Sequence, residues 1–476
     1  MAHFGVVAPA FYSHFNALSA LAVELIERGH RVTFLHRPDA AAWITDARIG
    51  FHALGADRYP AGSLAATLRL AANPGSPLGL RKVIVDMADT TDMLCNALPA
   101  ALQALRIDAL LGDQMEAAAG LVAEAVGMPF ISVACALPVN REPGVPLPVM
   151  PFEFGTSERS LQMVEGSTRV YDWLMAPHRK VIELQARSLG IPARGMLHEC
   201  LSPLAQISQT VAGFDFPRHQ LPANFHHVGP LRHAASLAVS PATSADAPSG
   251  AASSAPSSAP PAVQRAAGPR IEPMPAIASD RPFIFASLGT LQGQRFALFK
   301  RIAHACRTLN VQLLVAHCGG LNPRQAQAIE RAGAPGATTV CAFAPQQEVL
   351  ARADAVVSHA GLNTAMDAIA ARTPILALPI AFDQPGVAAR ISHAGIGLRA
   401  SARFAGASTL GTHLRRLLDK PGYGQRLAVL AEELSHAGGT PRAADIVESA
   451  LHLKAGRAVN GAPDDTPARR NAGTLA

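Results

Sequence analysis

Short, nearly unbroken apolar runs separated by longer amphipathic stretches form the dominant pattern of this chain. His3 to Ala8 and Arg31 to Leu35 are two such runs, and between them Leu18, Leu21, Ala22, Leu25 and Ile26 recur at helical spacing. Gly29 stands just past that stretch, where a helix commonly stops. Strand, helix and strand in this order make a βαβ opening. Asp108 to Gln114 repeats the strand pattern and ends in an acidic residue, and Phe225 to Leu231 reads as the last strand of a first domain. A second domain opens with the apolar run Phe283 to Ser287 and continues through Ala355 to Ser358 and Pro374 to Pro379, with polar loops behind the last two. Such alternation predicts the α/β class, because strands buried on both faces of a parallel sheet read as continuous apolar runs. The last helical stretch, Ala428 to Leu453, is broken near Gly438-Gly439-Thr440-Pro441.

The boundaries follow from composition. Residues 234–280 are dominated by Ala, Ser and Pro, with few groups able to form a core, and residues 455–476 are rich in Gly, Ala, Pro and charge. The expected organisation is a first domain over 1–233, a disordered linker over 234–280, a second domain over 281–454 and a disordered tail over 455–476. With 476 residues, 49% of them hydrophobic and 16% charged, the chain can bury two cores. No apolar run reaches the roughly 18 residues of a membrane span, and the Met-Ala-His start lacks a charged region backed by an apolar one. A cytoplasmic location is expected.

Six cysteines, at positions 95, 135, 200, 306, 318 and 341, are scattered without C-x-x-C spacing, which suits reduced, buried thiols. A net charge of +6 raises the question of nucleic acid, but the basic residues form no run and no aromatic-interleaved motif, so no nucleic-acid partner is expected. Weak peripheral attraction to anionic lipid at the inner face of the membrane suits such a charge better. No obligate protein partner is evident.

The chemistry concentrates between Phe343 and Arg390. His359-Ala360-Gly361-Leu362-Asn363-Thr364 follows a strand and opens a helix, whose unpaired N–H groups and dipole favour phosphate. Gly361 allows close backbone approach, and His359, Asn363 and Thr364 offer donors to phosphate oxygens. Asp367 lies one turn further on, suited to a ribose hydroxyl pair. Asp383 and Gln384 follow the next strand and should project into the same crevice, where a carboxylate beside an amide fits adjacent sugar hydroxyls. In the first domain the loop Pro9 to His14 lacks G-x-G-x-x-G, which disfavours a nicotinamide dinucleotide. His14, near a helix N-terminus expected to lower its pKa, is a candidate general base, and Asp113 at a strand end is a candidate orienting acid.

The order aromatic-Ala-Pro-Gln at Phe343 to Gln346, then His-x-Gly-x-Asn-Thr at 359–364, Asp367 and Asp383-Gln384 resembles the nucleotide-sugar signature of the family 1 glycosyltransferases. That resemblance implies the GT-B fold, two Rossmann-like β/α/β domains facing across a cleft, with the last helix returning to the first domain. It implies that Phe343 stacks on the base and Gln346 touches base or ribose. His359, Asn363, Thr364 and the small-residue loop ending at Gly289-Thr290 would hold the diphosphate, Asp367 the ribose, and Asp383 with Gln384 the hexose. His14 and Asp113 would be the catalytic pair of an inverting transfer. No metal or other cofactor is expected, since the folded parts carry no D-x-D motif and no His/Cys cluster at ligand spacing. The helix dipole and His359 are left to neutralise the leaving diphosphate. Phe343 and Leu362 stand where plant members usually have Trp, Asp367 replaces the commoner Glu, and Val387 stands where plant members usually have Asn.

The opening from Ala2 to Asp39, with Val228-Gly229-Pro230-Leu231-Arg232 and the segment from Asp383 to Arg390, resembles the family's bacterial zeaxanthin glucosyltransferase branch. That implies a UDP-sugar donor, UDP-glucose, and an apolar hydroxylated acceptor, a carotenoid. A polyketide, macrolide or lipid acceptor is the alternative, and a UDP-sugar 2-epimerase or a silent sugar-nucleotide binder represents the other classes. Leu64 to Leu80 and Leu137 to Phe154, apolar and Pro-rich, are the segments expected to wall the acceptor pocket.

Overall fold

The computed structural model describes residues 1–233, 272, 274, 276–277 and 280–452. Two parallel sheets organise them. The first contains β1 (His3–Val7), β2 (Arg31–His36), β3 (Gly50–Ala53), β4 (Ala109–Asp113), β5 (Phe130–Ala134), β6 (Gln206–Ser208) and β7 (Phe225–His227), in the order β3-β2-β1-β4-β5-β6-β7. The second contains β8 (Phe283–Ser287), β9 (Gln312–Ala316), β10 (Thr338–Cys341), β11 (Ala355–Ser358), β12 (Ile375–Ala377) and β13 (Gly397–Arg399), in the order β10-β9-β8-β11-β12-β13. Every residue of β1, β4, β5, β8, β9 and β11 is buried, as the continuous apolar runs require.

Strand order reverses between β1 and β4 in one sheet and between β8 and β11 in the other. Such switch points leave a crevice at the carboxyl ends of the strands, because the helices on either side diverge there. Registers Val7↔Gly112 and Ser358↔Ser287 bring the paired strand ends level, so the loops after them converge.

The helix Tyr12–Glu27 buries Leu18, Leu21 and Leu25, and Ala443, Ala444, Ile446 and Val447 join the same core from the end of the chain. Those four belong to the helix Gly439–Ala450. Gly438 and Gly439 have φ of +87° and +55°, backbone favoured for glycine, and there the chain leaves the second sheet's helices. The crossing is pinned by Gly439 N–H donating to the Val228 carbonyl at 2.7 Å and by Arg28 bonding both Asp445 and Glu448. The resemblance to GT-B proteins anticipated this return.

Most of the expected linker and tail falls outside the described residues. One part of it differs from expectation: Met274 and Ile277 pack against the second domain's core, Glu272 exchanges bonds with Phe343 and Ala342, and the Gln312 amide donates to the Ala276 carbonyl. Their apolar and carboxylate side chains break the Ala/Ser/Pro run, and that gives the sheet something to hold. The chain is thus anchored before β8 begins.

The two domains touch closely beside the cleft. A Cβ on Gly386 would lie 2.0 Å from the Pro148 carbonyl oxygen, so only glycine fits. The ring of Phe11 meets that of Phe382 edge-on at 5.4 Å.

Candidate active site

His14 lies in the first turn of the helix Tyr12–Glu27, directly after β1, and Asp113 closes the neighbouring strand β4. Their adjacency follows from the strand order. His14 Nδ1 sits 2.7 Å from Asp113 Oδ2, and the Asp113 side chain is fully buried. Asp113 also accepts from the Met115 N–H at 2.8 Å and bonds the buried Cys135 thiol. A carboxylate so fixed keeps the proton on Nδ1 and leaves Nε2 as the nitrogen that can accept one.

Burial pulls the His14 pKa down, but the charge and hydrogen bond of Asp113, with help from Asp383, outweigh it and leave the pKa raised. The helix N-terminus was expected to lower it. A full charge at hydrogen-bond distance outweighs the half-charge of a helix end. The Cys135 thiol is pushed well up by burial and then by Asp113.

Separation along the sequence hid one grouping. His14 Nδ1, Asp113 Oδ2 and Cys135 Sγ lie within 4.8 Å of one another, a set able to hold a metal ion among the described residues. The expectation that no such cluster exists holds only along the sequence. A cation there would take the nitrogen–carboxylate contact that a base needs.

On the facing domain, β8 and β11 present the loops containing Gly289 and His359 side by side. A Cβ on either Gly289 or Gly361 would come within 2.6 Å of the His359 ring, so the two glycines make room for it. Burial drives the His359 pKa down to about 4, and its Nδ1 has no partner within the described structure. At neutral pH this side chain is uncharged, so it can offer a hydrogen bond but not the positive charge assigned to it from the sequence.

The helix Leu362–Ala370 has Gly361 at its N-cap, with no side-chain cap, and Asn363 and Thr364 in its first turn. Its free N–H groups therefore face the loop. Thr290 is exposed in the short helix Gly289–Gln292, which replaces the expected open loop, and Phe343 is half-buried with its ring beside Gly319.

Asp367 is held more tightly than the sequence suggested. Its Oδ1 accepts from Arg232 Nε and Nη2 at 3.0 and 2.9 Å, and its Oδ2 accepts from the Gln346 amide at 2.7 Å. Gln346 thus engages Asp367, and its carbonyl oxygen accepts from the Thr364 hydroxyl at 3.4 Å.

Asp383 reaches across the cleft, its carboxylate accepting from the Leu137 N–H at 3.3 Å. Burial raises its pKa, against the pull of that bond, His14 and Arg390. Gln384 differs from expectation: its oxygen accepts from the N–H groups of Ile380 and Ala381 at 2.9 and 2.8 Å. Only its NH₂ remains for a substrate hydroxyl.

A pocket next to Phe11 is walled by Leu70 and Ala71 from the first of the two expected acceptor segments and by Val83 and Met87. One side of it is polar. Arg37, Thr91, Glu116 and His178 line it, and burial pushes the Glu116 carboxyl up to about 7. Nothing local in the sequence marked these four, since they come from separate elements. In the second expected segment, Leu137, Pro148 and Glu153 touch Asp383, Gly386 and Arg399 on the other domain. Part of its apolar and Pro-rich character thus serves an interdomain contact.

Comparison with known proteins agrees with this architecture. The profile described as UDP-glucoronosyl and UDP-glucosyl transferase matches residues 283–436. A zeaxanthin glucosyltransferase of Pantoea ananas is 48% identical over 453 residues, covering 95% of this chain and 96% of the relative. Another, from Pseudescherichia vulneris, is 46% identical, covering 95% and 98%. Among solved structures, a calicheamicin glycosyltransferase superposes with a TM-score of 0.66 at 18% identity, covering 95% of this chain and 98% of its own, which speaks to the fold alone. Two parallel-sheet domains, a hydrogen-bonded histidine and aspartate meeting at one switch point, and near full-length similarity to zeaxanthin glucosyltransferases place this chain in the UDP-glucuronosyl and UDP-glucosyl transferase family, as a glycosyltransferase of the GT-B fold.

Proposed function

We propose that the protein transfers glucose from UDP-glucose to a hydroxyl of a carotenoid such as zeaxanthin, with inversion at the anomeric carbon. The observation carrying this reading is the His14–Asp113 pair, which faces Asp383 across the cleft in a chain 48% identical to a zeaxanthin glucosyltransferase. His14 Nε2 takes the proton of the acceptor hydroxyl as the C–O bond forms, and Asp113 stabilises the imidazolium. The departing UDP is held by Gly361, Asn363 and Thr364 at the helix N-terminus, with Thr290 and His359 beside it. Phe343 and Gln346 flank the base and ribose, Asp367 binds the ribose, and Asp383 with the Gln384 NH₂ orients the hexose. The chemistry assigns no step to a metal. The apolar wall by Phe11 suits a polyene end ring, and in this reading a lipid-dissolved acceptor is met at the cytoplasmic face; no helix of the described residues is long and apolar enough to cross a membrane.

The test is UDP release from the purified chain given UDP-glucose and detergent-dispersed zeaxanthin, with products examined by mass. A hexose-shifted carotenoid supports the reading. UDP-glucose binding without that product would move the acceptor to other hydroxylated lipids or polyketides.

A pH profile tests the base. Because Asp113 holds the His14 pKa above its ordinary value, kcat/KM should fall as pH drops through that raised pKa. Asp113→Asn removes the charge and leaves burial, so the acid limb should move to lower pH while the plateau drops by roughly 10²–10⁴-fold. An unmoved limb would mean that His14 is not the titrating base.

A further inference from the structure

The leaving group raises a charge problem. A nucleoside diphosphate carries at least two negative charges, and a helix N-terminus offers the equivalent of only about half a positive charge. Asp367 and Asp383 add negative charge to the same cleft, and His359 is neutral at physiological pH. A cation is needed, and the residues matched to the family signature contain none that is charged at that pH.

We infer that Arg232, contributed by the strand-exit segment of the first domain, is a donor-binding residue whose guanidinium engages the diphosphate of the nucleotide sugar. This rests on the donor site proposed above. Among the hydrogen bonds of the described residues, Arg232 is the cation that reaches the phosphate loop: Nη1 lies 3.4 Å from Asn363 Oδ1 and Nη2 lies 3.1 Å from the Asn363 carbonyl. Asn363 is the second residue of the helix whose free N–H groups face the phosphate site.

The same guanidinium grips Asp367 through two nitrogens, so a ribose that takes this carboxylate must share it with Arg232 or displace it. All five N–H groups of the guanidinium are engaged as it stands, Nη1 also donating to the Leu231 carbonyl at 2.9 Å, so it is displacement by the ribose that frees Nε and one Nη2 N–H, one helical turn from the helix N-terminus and within the span of a ribose 5′-diphosphate. The backbone supports such a role. Arg232 N–H donates to the Thr440 hydroxyl and its carbonyl accepts from the same hydroxyl, both at 2.8 Å, so the residue is clamped while its long side chain extends into the other domain. The Arg232 side chain is 11% exposed, in a site where a charge is weakly screened. Arginine suits the task because its planar fork can serve a carboxylate and a phosphate at once.

Calorimetric titration of the full chain with UDP and with uridine separates the possibilities. Wild type binding UDP establishes the donor site; failure there would overturn the donor reading and this inference with it. Arg232→Gln should weaken UDP by about 10–100-fold, the effect of one charge-assisted bond, and leave uridine affinity unchanged. Equal losses for both ligands would show that Arg232 only props Asp367, and unchanged or tighter UDP binding would show that it is a domain strap. Either overturns the assignment while leaving the donor site standing. Arg232→Lys keeps the charge without the fork; if the Gln variant fails to fold, a selective loss of UDP affinity in the Lys variant supports the inference and an equal loss with uridine overturns it.

Discussion

Replacing His14 with alanine is expected to lower the rate of sugar transfer by roughly 10²–10⁴-fold, the usual worth of a positioned general base, with UDP affinity unchanged. The two observables separate because His14 belongs to none of the proposed nucleotide contacts, which stand on the second domain apart from Arg232. Fold should be retained: the side chain is 13% exposed, and Asp113 keeps its bonds to the Met115 N–H and the Cys135 thiol. His14→Asn, able to donate to Asp113 but not to take a proton, should be about as inactive as the alanine variant. Initial rates at saturating UDP-glucose, with calorimetric UDP binding alongside, test both. Retention of near wild-type turnover in either variant would exclude His14 as the base.

The largest loss of stability is expected from Arg390→Met. Arg390 is fully buried in the helix Gln384–His393 of the second domain, and its Nε donates to Asp215 of the first domain at 2.6 Å. Its guanidinium lies 4.2 Å from the centre of the Phe216 ring. Removing one partner of such a pair strands the other charge without water, an effect of about 3–5 kcal/mol. Arg218, 3.1 Å from the other Asp215 oxygen, should hold the loss toward the lower end. Changing Asp215 to Leu in the same chain should recover little of it, because Arg218, itself buried against Asp215, would then be the charge left without its partner.

The pH dependence has a definite sign. Burial raises the Asp215 pKa, but Arg390 and Arg218 more than reverse this and hold it below the ordinary carboxylate value. The stabilisation is therefore full above the unfolded carboxylate's pKa and is lost as pH falls through the folded one. Urea midpoints across pH should show this acid-side loss weakened in Arg390→Met. A midpoint equal to wild type at neutral pH would mean that the pair does not lock the domains.

Much of the fold was legible because parallel strands must be apolar throughout, so β1, β4, β8 and β11 announced themselves, and the glycines at 438 and 439 marked the break before the returning helix. The proposed donor residues other than Thr290 and Arg232 were legible because they cluster within 42 positions, from Phe343 to Gln384, around two turns. What escaped notice arises from tertiary adjacency. Cys135 joins His14 and Asp113 only because β5 lies beside β4, and Arg232 meets Asp367 only because one domain folds over the other. Burial and loop bonding are equally invisible to spacing: His359 was given a charge that its enclosure removes, and half of the Gln384 amide, its oxygen, is taken up by its own loop. Leu137 to Phe154, read from its apolar character as a ligand wall, also carries Leu137 and Pro148, which meet Asp383 and Gly386 of the other domain.

The helix Gly439–Ala450 closes the first domain's core with Ala443, Ala444, Ile446 and Val447, residues made after every strand of both sheets. The second domain's elements, by contrast, run without interruption from β8 to the helix Gly422–His436, and the other residues that join its core, such as Leu137, Phe214 and Met274, are made earlier still. During synthesis the later-made domain can therefore finish its core first. The earlier-made one must wait on the ribosome with Leu18, Leu21 and Leu25 incompletely covered until almost the whole chain has emerged. A stop codon just after residue 436 would remove none of the proposed catalytic or donor-binding residues, yet it would leave the domain carrying His14 with an unfilled face and a tendency to aggregate.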